Sequence, residues 1–310
     1  MSVIPDRAAP LDTPPGASAR PDSRRIRLGA RAAQEAGQNS AGQNSARQNS
    51  AGPDSARPDS ARPDEAIRIS EVSKTFGRGP AAVVALDRVS LSAAPGEFVC
   101  LIGASGCGKS TLLSLVAGLD RPTSGGIATN GNRVALMFQE PALFPWLTAT
   151  RNIELALRAT GVSRAERRER AAELLELVHL GGFGGKRPHE LSGGMRQRVA
   201  LARALGQEAD VLLMDEPFGA LDAMTRDLLH EVLEGLWRRR GLTVLFVTHE
   251  VREAVRLGDR VVLLSSRPGR VIGDFKVDLD RPRGMDSANT VDLAIKIKAQ
   301  LREEVIRHGS

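Results

Sequence analysis

Residues 103–110 read Gly-Ala-Ser-Gly-Cys-Gly-Lys-Ser, and Thr111 follows. Glycines at 103, 106 and 108 let the backbone close into a nest of N–H donors, to which Ala104, Ser105 and Cys107 belong. A helix beginning behind the loop, expected over 111–117, points its positive end at the same place. Lys109 is then placed to reach the β- and γ-phosphates of a nucleotide, and the Ser110 hydroxyl to ligate Mg²⁺. Cys107 reads in two ways: as a further backbone donor, or as a thiol made oxidation-sensitive by electropositive surroundings.

A second set of residues supplies what phosphate chemistry needs beside such a loop. The run Val-Leu-Leu-Met over 211–214 ends in Asp215 and Glu216. The carboxyl end of a buried strand is where open α/β sheets hold ligands. Asp215 can hold Mg²⁺ through water, and Glu216 can polarise an attacking water. At 191–198 the sequence is Leu-Ser-Gly-Gly-Met-Arg-Gln-Arg. Ser192 is an N-cap, Gly193 and Gly194 follow, and a helix starts: a second helix N-terminus suited to an anion.

These groups must be carried on strands and helices. Residues 67–69 alternate, a short strand is expected to end at Phe76-Gly77, and 89–92 alternate again. Residues 98–102, 211–214, 244–247 and 261–264 are continuous apolar runs of strand length, the pattern of parallel strands buried on both faces. Helical stretches at 171–180 and 226–240 lie among them. The pattern predicts an α/β fold: a phosphate-loop core with a mostly parallel sheet, an antiparallel edge subdomain made by the early strands, and a helical insertion over about 141–187. A last helix is expected over 291–306.

The chain has 310 residues, 41% apolar and 26% charged, and its ten Phe and Trp residues all follow position 65. Residues 36–65 are six pentads, from AGQNS to ARPDE, and the first 65 residues hold 8 of the 17 prolines. Such a stretch is too polar and too broken to bury a core, and is expected to be a disordered low-complexity tail. The organisation expected is therefore 1–65 tail, 66–285 one ATPase domain, and 286–310 a C-terminal helix. The longest apolar run is six residues, against the roughly 20 of a membrane span. There is no apolar leader after Met1, and two cysteines cannot make a disulfide framework. The expectation is a soluble chain in a reducing compartment. The net charge of +6 invites nucleic acid as a partner, but the arginines of 164–170 are interleaved with Glu166 and Glu169, and Arg238–Arg240 precede Gly241 as cations at a helix C-terminus. A solvated surface explains both clusters, anionic lipid comes next, and no nucleic-acid partner is expected.

The order Gly103–Thr111, Gln139, Leu191–Gln197, Val211–Glu216 and His249 resembles the ATP-binding subunits of ABC transporters. LSGGMRQ at 191–197 is its discriminating string, and the resemblance covers about residues 67–285. It implies that two copies of the chain sandwich two ATP molecules with Mg²⁺, each loop completed in trans by Ser192, Gly193, Gly194 and Gln197 of the other copy. By the same resemblance Phe76 stacks on adenine, though a core phenylalanine at a strand end is the plainer reading. Gln139 is implied to contact Mg²⁺ and the attacking water, Asp222 to couple the two sites, and His249 to grip the γ-phosphate. Ser110, Gln139 and Asp215 are the implied magnesium ligands.

The stretches at 138–148, 215–222 and 266–270 narrow the likeness to the nitrate/sulfonate/taurine importer group, and within it to the aliphatic-sulfonate branch. This implies two transmembrane permease subunits as partners, a solute-binding protein as an indirect one, and a peripheral place on the cytoplasmic face of the membrane. Phe144 and Trp146 suit a docking face for a permease loop, or else the core of the helical insertion. The segment 125–139 is several residues shorter than is usual in the group. The rival class is a soluble ABC ATPase that drives no transport; a single phosphate loop and an insertion of about 50 residues favour transport.

Overall fold

The computed structural model describes residues 64–308 other than Ala220. All but the last two residues of the expected low-complexity tail lie outside the described residues.

The elements run β1 (Ile67–Phe76), β2 (Val83–Ala93), β3 (Phe98–Gly103), α1 (Lys109–Val116), β4 (Ser124–Ala128), β5 (Val134–Met137), α2 (Ala149–Ala159), α3 (Arg164–Leu177), α4 (Gly193–Leu205), β6 (Val211–Asp215), α5 (Ala223–Arg240), β7 (Thr243–Val247), α6 (Val251–Leu257), β8 (Arg260–Leu264), β9 (Val271–Lys276) and α7 (Ala288–His308). The main sheet has the order β5-β6-β7-β3-β8-β9. Its first five strands are parallel, and β9 closes the edge antiparallel to β8. A second sheet, β2-β1-β4, is antiparallel throughout. The fold is thus α/β with a mostly parallel sheet and a separate antiparallel sheet.

Strand period divides the core in two. Val99, Leu101, Val211, Leu213, Leu245, Val247 and Val262 face α1 and the antiparallel sheet, where Leu112, Leu113, Ile69 and Val89 complete one cluster. Their neighbours Cys100, Ile102, Leu212, Met214, Val244, Phe246, Val261 and Leu263 face the helices on the other side. Because both faces are covered, β3, β6 and β7 are buried along their whole length. That explains why they are continuous apolar runs rather than alternating ones.

Three expectations need correction. The strand ending at Phe76 is not short: β1 runs ten residues, through register shifts at Ile69/Val72, Val72/Lys74 and Lys74/Thr75 that break its alternation. The early strands do not form an edge of the main sheet, since β1 bonds only β2 and β4; the antiparallel edge is β9. The helix expected at 171–180 begins earlier, at Arg164, where Ser163 accepts the Glu166 N–H, so the basic cluster lies within it. Between residues 141 and 187 the described elements are α2 and α3, with Thr148 capping the first by accepting the Arg151 N–H at 3.2 Å.

The segment after β9 is fastened by two arginines, Arg281 and Arg283. Arg283, 7% exposed, donates to the carbonyls of Leu279 (2.9 Å), Val255 (3.1 Å), Gly258 (2.5 Å) and Val277 (3.1 Å). Arg281 stacks on Trp237 at 4.5 Å, and the Trp237 indole donates to the Gly96 carbonyl at 2.8 Å. Arg283→Ala leaves four inward carbonyls without their donor, at a cost of about 3 kcal/mol. Urea unfolding should show a clearly lowered midpoint, which Arg283→Lys does not restore because an ammonium lacks the planar fork. An unchanged midpoint would contradict this account.

Candidate functional site

The parallel register brings three strand ends to one edge. Leu101 of β3 lies beside Val247 of β7, and Val247 beside Asp215 of β6. The loops that leave these ends carry Lys109 and Ser110, Glu216, and His249. Gln139 follows β5, the next strand out.

The phosphate loop is shaped by close approach. A Cβ on Gly103 would lie 2.7 Å from the Cys107 Sγ and 2.9 Å from the Leu264 carbonyl oxygen. Gly108 caps α1 at a φ of 99°, and a Cβ there would lie 2.6 Å from Leu86 Cδ2 and 2.9 Å from the Ala85 oxygen. Lys109 is 7% exposed and its Nζ donates to the carbonyls of Gly103 (2.8 Å) and Ala104 (3.0 Å). Both partners are neutral carbonyls, so no carboxylate occupies the ammonium through a hydrogen bond. Ser105, Gly106 and Ser110 are exposed, Ala104 and Thr111 half-buried.

Cys107 is 1% exposed, and its N–H turns to the Ala104 carbonyl at 3.3 Å. Burial pushes its thiol up despite the Lys109 charge nearby. A buried, protonated thiol is a poor nucleophile, so the oxidation-sensitive reading of Cys107 is not what the geometry gives.

Asp215 is 8% exposed at the end of β6. Burial raises its carboxyl above the ordinary aspartate value, and the neighbouring Glu216 charge adds to this; a hydrogen bond from Ser110 and the Lys109 charge act the other way. Glu216 has a φ of +43°, and its N–H is held by the Val247 carbonyl at 3.0 Å. Its Oε2 meets two groups, His249 Nδ1 at 3.1 Å and Gln139 Nε2 at 3.5 Å. A non-glycine residue in this backbone region is strained, and such strain gathers at functional sites.

Phe76, at the end of β1, is 45% exposed, with the Lys74 ammonium 5.0 Å from its ring centre, and so is not the core phenylalanine of the plainer reading. Ser192 caps α4 by accepting the Met195 N–H at 3.2 Å; it and Gly193 are exposed, and Gly194 is half-buried. Gln197 departs from its expected role. It is 4% exposed, and its Nε2 donates to the Gln139 carbonyl of the same chain at 2.6 Å, so it faces inward rather than toward another copy. Asp222 caps α5, accepting from the Thr225 N–H (2.9 Å) and hydroxyl (2.8 Å), which hold its carboxyl below the ordinary value.

Three residues that sequence reasoning did not single out for the site also shape it. Asn152, fully buried in α2, accepts from the Phe144 N–H at 2.9 Å and donates to the Phe144, Leu147 and Thr148 carbonyls. An asparagine inside a helix was a readable signal, since its side chain competes for backbone groups. Arg203 of α4 donates to the carbonyls of Ala142 (2.7 Å) and Pro141 (2.9 Å). Arg267, previously only a mark of the importer group, donates through Nε to the Gly106 carbonyl at 3.2 Å, at the apex of the phosphate loop.

Comparison with known proteins matches this arrangement. The sequence profile described as ABC transporter covers residues 86–219. An aliphatic sulfonates import ATP-binding protein of Bacillus thuringiensis subsp. konkukian is 43% identical over 243 residues, 76% of this chain and 95% of its own. The chain belongs to the ABC transporter ATP-binding family. A nitrate import ATP-binding protein of Synechocystis sp. is 46% identical over 69% of this chain and 83% of its own. A taurine import ATP-binding protein of Burkholderia pseudomallei is 47% identical over 68% and 84%. Among solved structures, an ATP-binding cassette captured as a dimer after hydrolysis, with ADP and Pi, superposes at a TM-score of 0.64 and 35% identity, over 69% of this chain and all of its own. As an ABC ATPase the chain binds and hydrolyses ATP.

The donor set at the loop fits a magnesium ion. Among the described residues no three His, Cys, Asp or Glu side chains come together as a metal cage. What the site offers instead is one carboxylate, Asp215, with the Ser110 hydroxyl near enough to favour its charged form. Magnesium suits such a set, since it takes one or two protein oxygens and fills its shell with water and phosphate oxygens. The loop geometry gives a direct prediction. Gly108→Ala cannot hold the same backbone, and ATP affinity, read by equilibrium binding of a fluorescent analogue, should fall by roughly tenfold or more, since about 1.4 kcal/mol of strain suffices for that. Binding as tight as in the unmodified chain would refute the close-approach argument.

Proposed function

We propose that the chain is the ATP-hydrolysing subunit of a membrane importer, and that its solute is an aliphatic sulfonate. The observation that carries the hydrolytic part is the single Glu216 oxygen within reach of both His249 and Gln139 at the edge where the phosphate loop opens. In this reading Lys109 exchanges its two loop carbonyls for the β- and γ-phosphates. Ser110, Asp215 and Gln139 would hold Mg²⁺, which when bound would neutralise phosphate charge. Glu216 orients the attacking water and takes its proton at the carboxylate. His249, within 3.1 Å of that carboxylate through Nδ1, is the residue that grips the γ-phosphate in this reading. Phe76 offers its open face to adenine.

Two copies acting together is part of the same proposal. Ser192 and Gly193 are exposed and Gly194 half-buried at the N-terminus of α4, suited to complete the nucleotide site of a second copy, and in this reading Asp222 couples the two sites. The dimeric form of the solved relative supports this. Residues 66–285 form the ATPase domain in this reading, and the helix beyond is an appendage.

The permease would dock at Phe144 and Trp146, which are 37% and 68% exposed with ring centres 5.6 Å apart. Two aromatic rings packed at a tilt of 54° and held outward suit an apolar partner surface better than the core of a helical insertion. No helix among the described residues is long and apolar enough to cross a membrane, so the proposed place on the cytoplasmic face rests on that docking. Solute reaches the permease through a separate binding protein, and nucleic acid has no part. Sulfonate as the solute is supported by the relative named for aliphatic sulfonates; relatives named for nitrate and taurine import make those solutes the competing readings.

Glu216→Gln should lower ATP turnover by about a hundredfold or more while leaving ATP binding intact, because the amide cannot take the proton. Unchanged turnover would sink the assignment of Glu216. For the solute, a strain lacking this gene should fail to grow on an alkanesulfonate as sole sulfur source, and the native gene but not its Lys109→Ala version should restore growth. Normal growth of the deletion strain would move the solute to nitrate or taurine.

A further inference from the structure

Behind Glu216 and His249 lies a buried polar pair that the chemistry above does not use. His230, in the middle of α5, is fully buried, and its Nε2 lies 2.7 Å from Oε1 of Glu253, which is 5% exposed on α6. An ionised carboxylate only accepts, so Nε2 is the donor. The same ring packs edge-on against Phe218, with centres 5.3 Å apart and planes at 68°. Phe218 stands two residues after Glu216, and Glu253 four residues after His249. One imidazole therefore touches both the turn that carries the carboxylate and the helix that follows the histidine. Beside this pair Asp227 of α5 bonds Arg256 of α6 at 2.6 Å, a second polar bond between the same helices.

We propose that His230 and Glu253 are positioning residues for ATP hydrolysis: their bond locks α6 onto α5 and against Phe218, and so sets the 3.1 Å approach of His249 to Glu216. The inference rests on the catalytic reading of Glu216 and His249 given above. His230 is fully buried, and Glu253 lines a cavity with Glu216 and His249 that includes none of residues 103–110, so their effect falls on turnover and not on affinity. A displacement of the order of 1 Å between groups that act together costs up to about a hundredfold in rate. Glutamine at 230 still offers an N–H toward Glu253, whereas leucine fills the space without a donor.

The test measures ATP turnover and the Kd of a fluorescent ATP analogue on the full chain, with Glu216→Gln as reference. His230→Leu is expected to lower kcat by roughly ten- to a hundredfold with Kd unchanged, and His230→Gln to recover most of the loss. Should the single leucine variant not fold, the double His230→Leu/Glu253→Leu replaces it, because removing both partners leaves no buried group orphaned. Unchanged kcat in the leucine variant overturns the proposal. So does a matching loss of ATP affinity, which marks a general structural defect, and so does a glutamine variant no better than leucine. If Glu216→Gln itself turns over normally, the catalytic reading fails instead.

Discussion

The nucleotide edge depends on one constraint, the parallel register of β6, β7 and β3. Only parallel neighbours end on the same side, and only strands buried on both faces are held there without slippage. With Leu101 beside Val247 and Val247 beside Asp215, β6 and β7 end level, and β3 runs two residues further along β8 before it opens into the phosphate loop. The Val247 carbonyl then fixes the Glu216 N–H, and the Leu101 carbonyl the Thr248 N–H at 3.3 Å, so the turns on either side of the site are anchored to the strands between them. A slip of one residue in any pairing would turn Asp215 from the loop toward the opposite core.

Electrostatics at this edge follow from depth. Lys109, Asp215 and Cys107 are all buried, and each is treated differently by its neighbours. The lysine is met by carbonyls, which solvate the ammonium without neutralising it. For the aspartate, desolvation exceeds the help from Ser110 and Lys109, leaving a carboxyl poised to gain from a cation. With the thiol, desolvation again exceeds the lysine charge, and the outcome is an inert side chain filling the space under Gly103. The same lysine is thus too weak to ionise a buried cysteine, while the full positive charge of a bound magnesium would answer Asp215 directly.

Much of this was legible in the sequence, where residue type and required geometry coincide. Gly108 needs a left-handed backbone, β3, β6 and β7 need unbroken apolar runs, and Ser192 and Asp222 need an N-cap oxygen; each requirement leaves its mark in the chain. The illegible parts lacked such a mark. β4 is Ser-Gly-Gly-Ile-Ala and β5 only four residues long, so neither carries a strand pattern, and both exist because a neighbour supplies the ladder. β1 concealed its length behind register shifts. Gln197 ends a string in which Ser192 and Gly193 are exposed while Leu191 is buried, and only the rotation of α4 decides that its side chain turns inward to Gln139. The His230–Glu253 bond joins residues 23 apart on two helices, a distance no local periodicity reports.

The segment from Gln139 to Leu147 connects the two faces of the molecule, and its attachments determine how it moves. Gln197 and Arg203 of α4 grip the carbonyls of Gln139, Pro141 and Ala142, and Asn152 of α2 grips Phe144 and Leu147. Every one of these bonds comes from a helix outside the parallel sheet. The bond of Gln139 to Glu216, at 3.5 Å, is the longest of the set and the one that reaches an element of the sheet edge. A rotation of α2 and α4 relative to the sheet would therefore carry the segment with the helices and open the contact at Glu216 first. Phe144 and Trp146 stand on the same segment and are held by the same set of bonds. The apolar face suited to a partner and the carboxylate suited to hydrolysis are linked through side-chain bonds to one short stretch of backbone, so neither can be displaced far without the other responding.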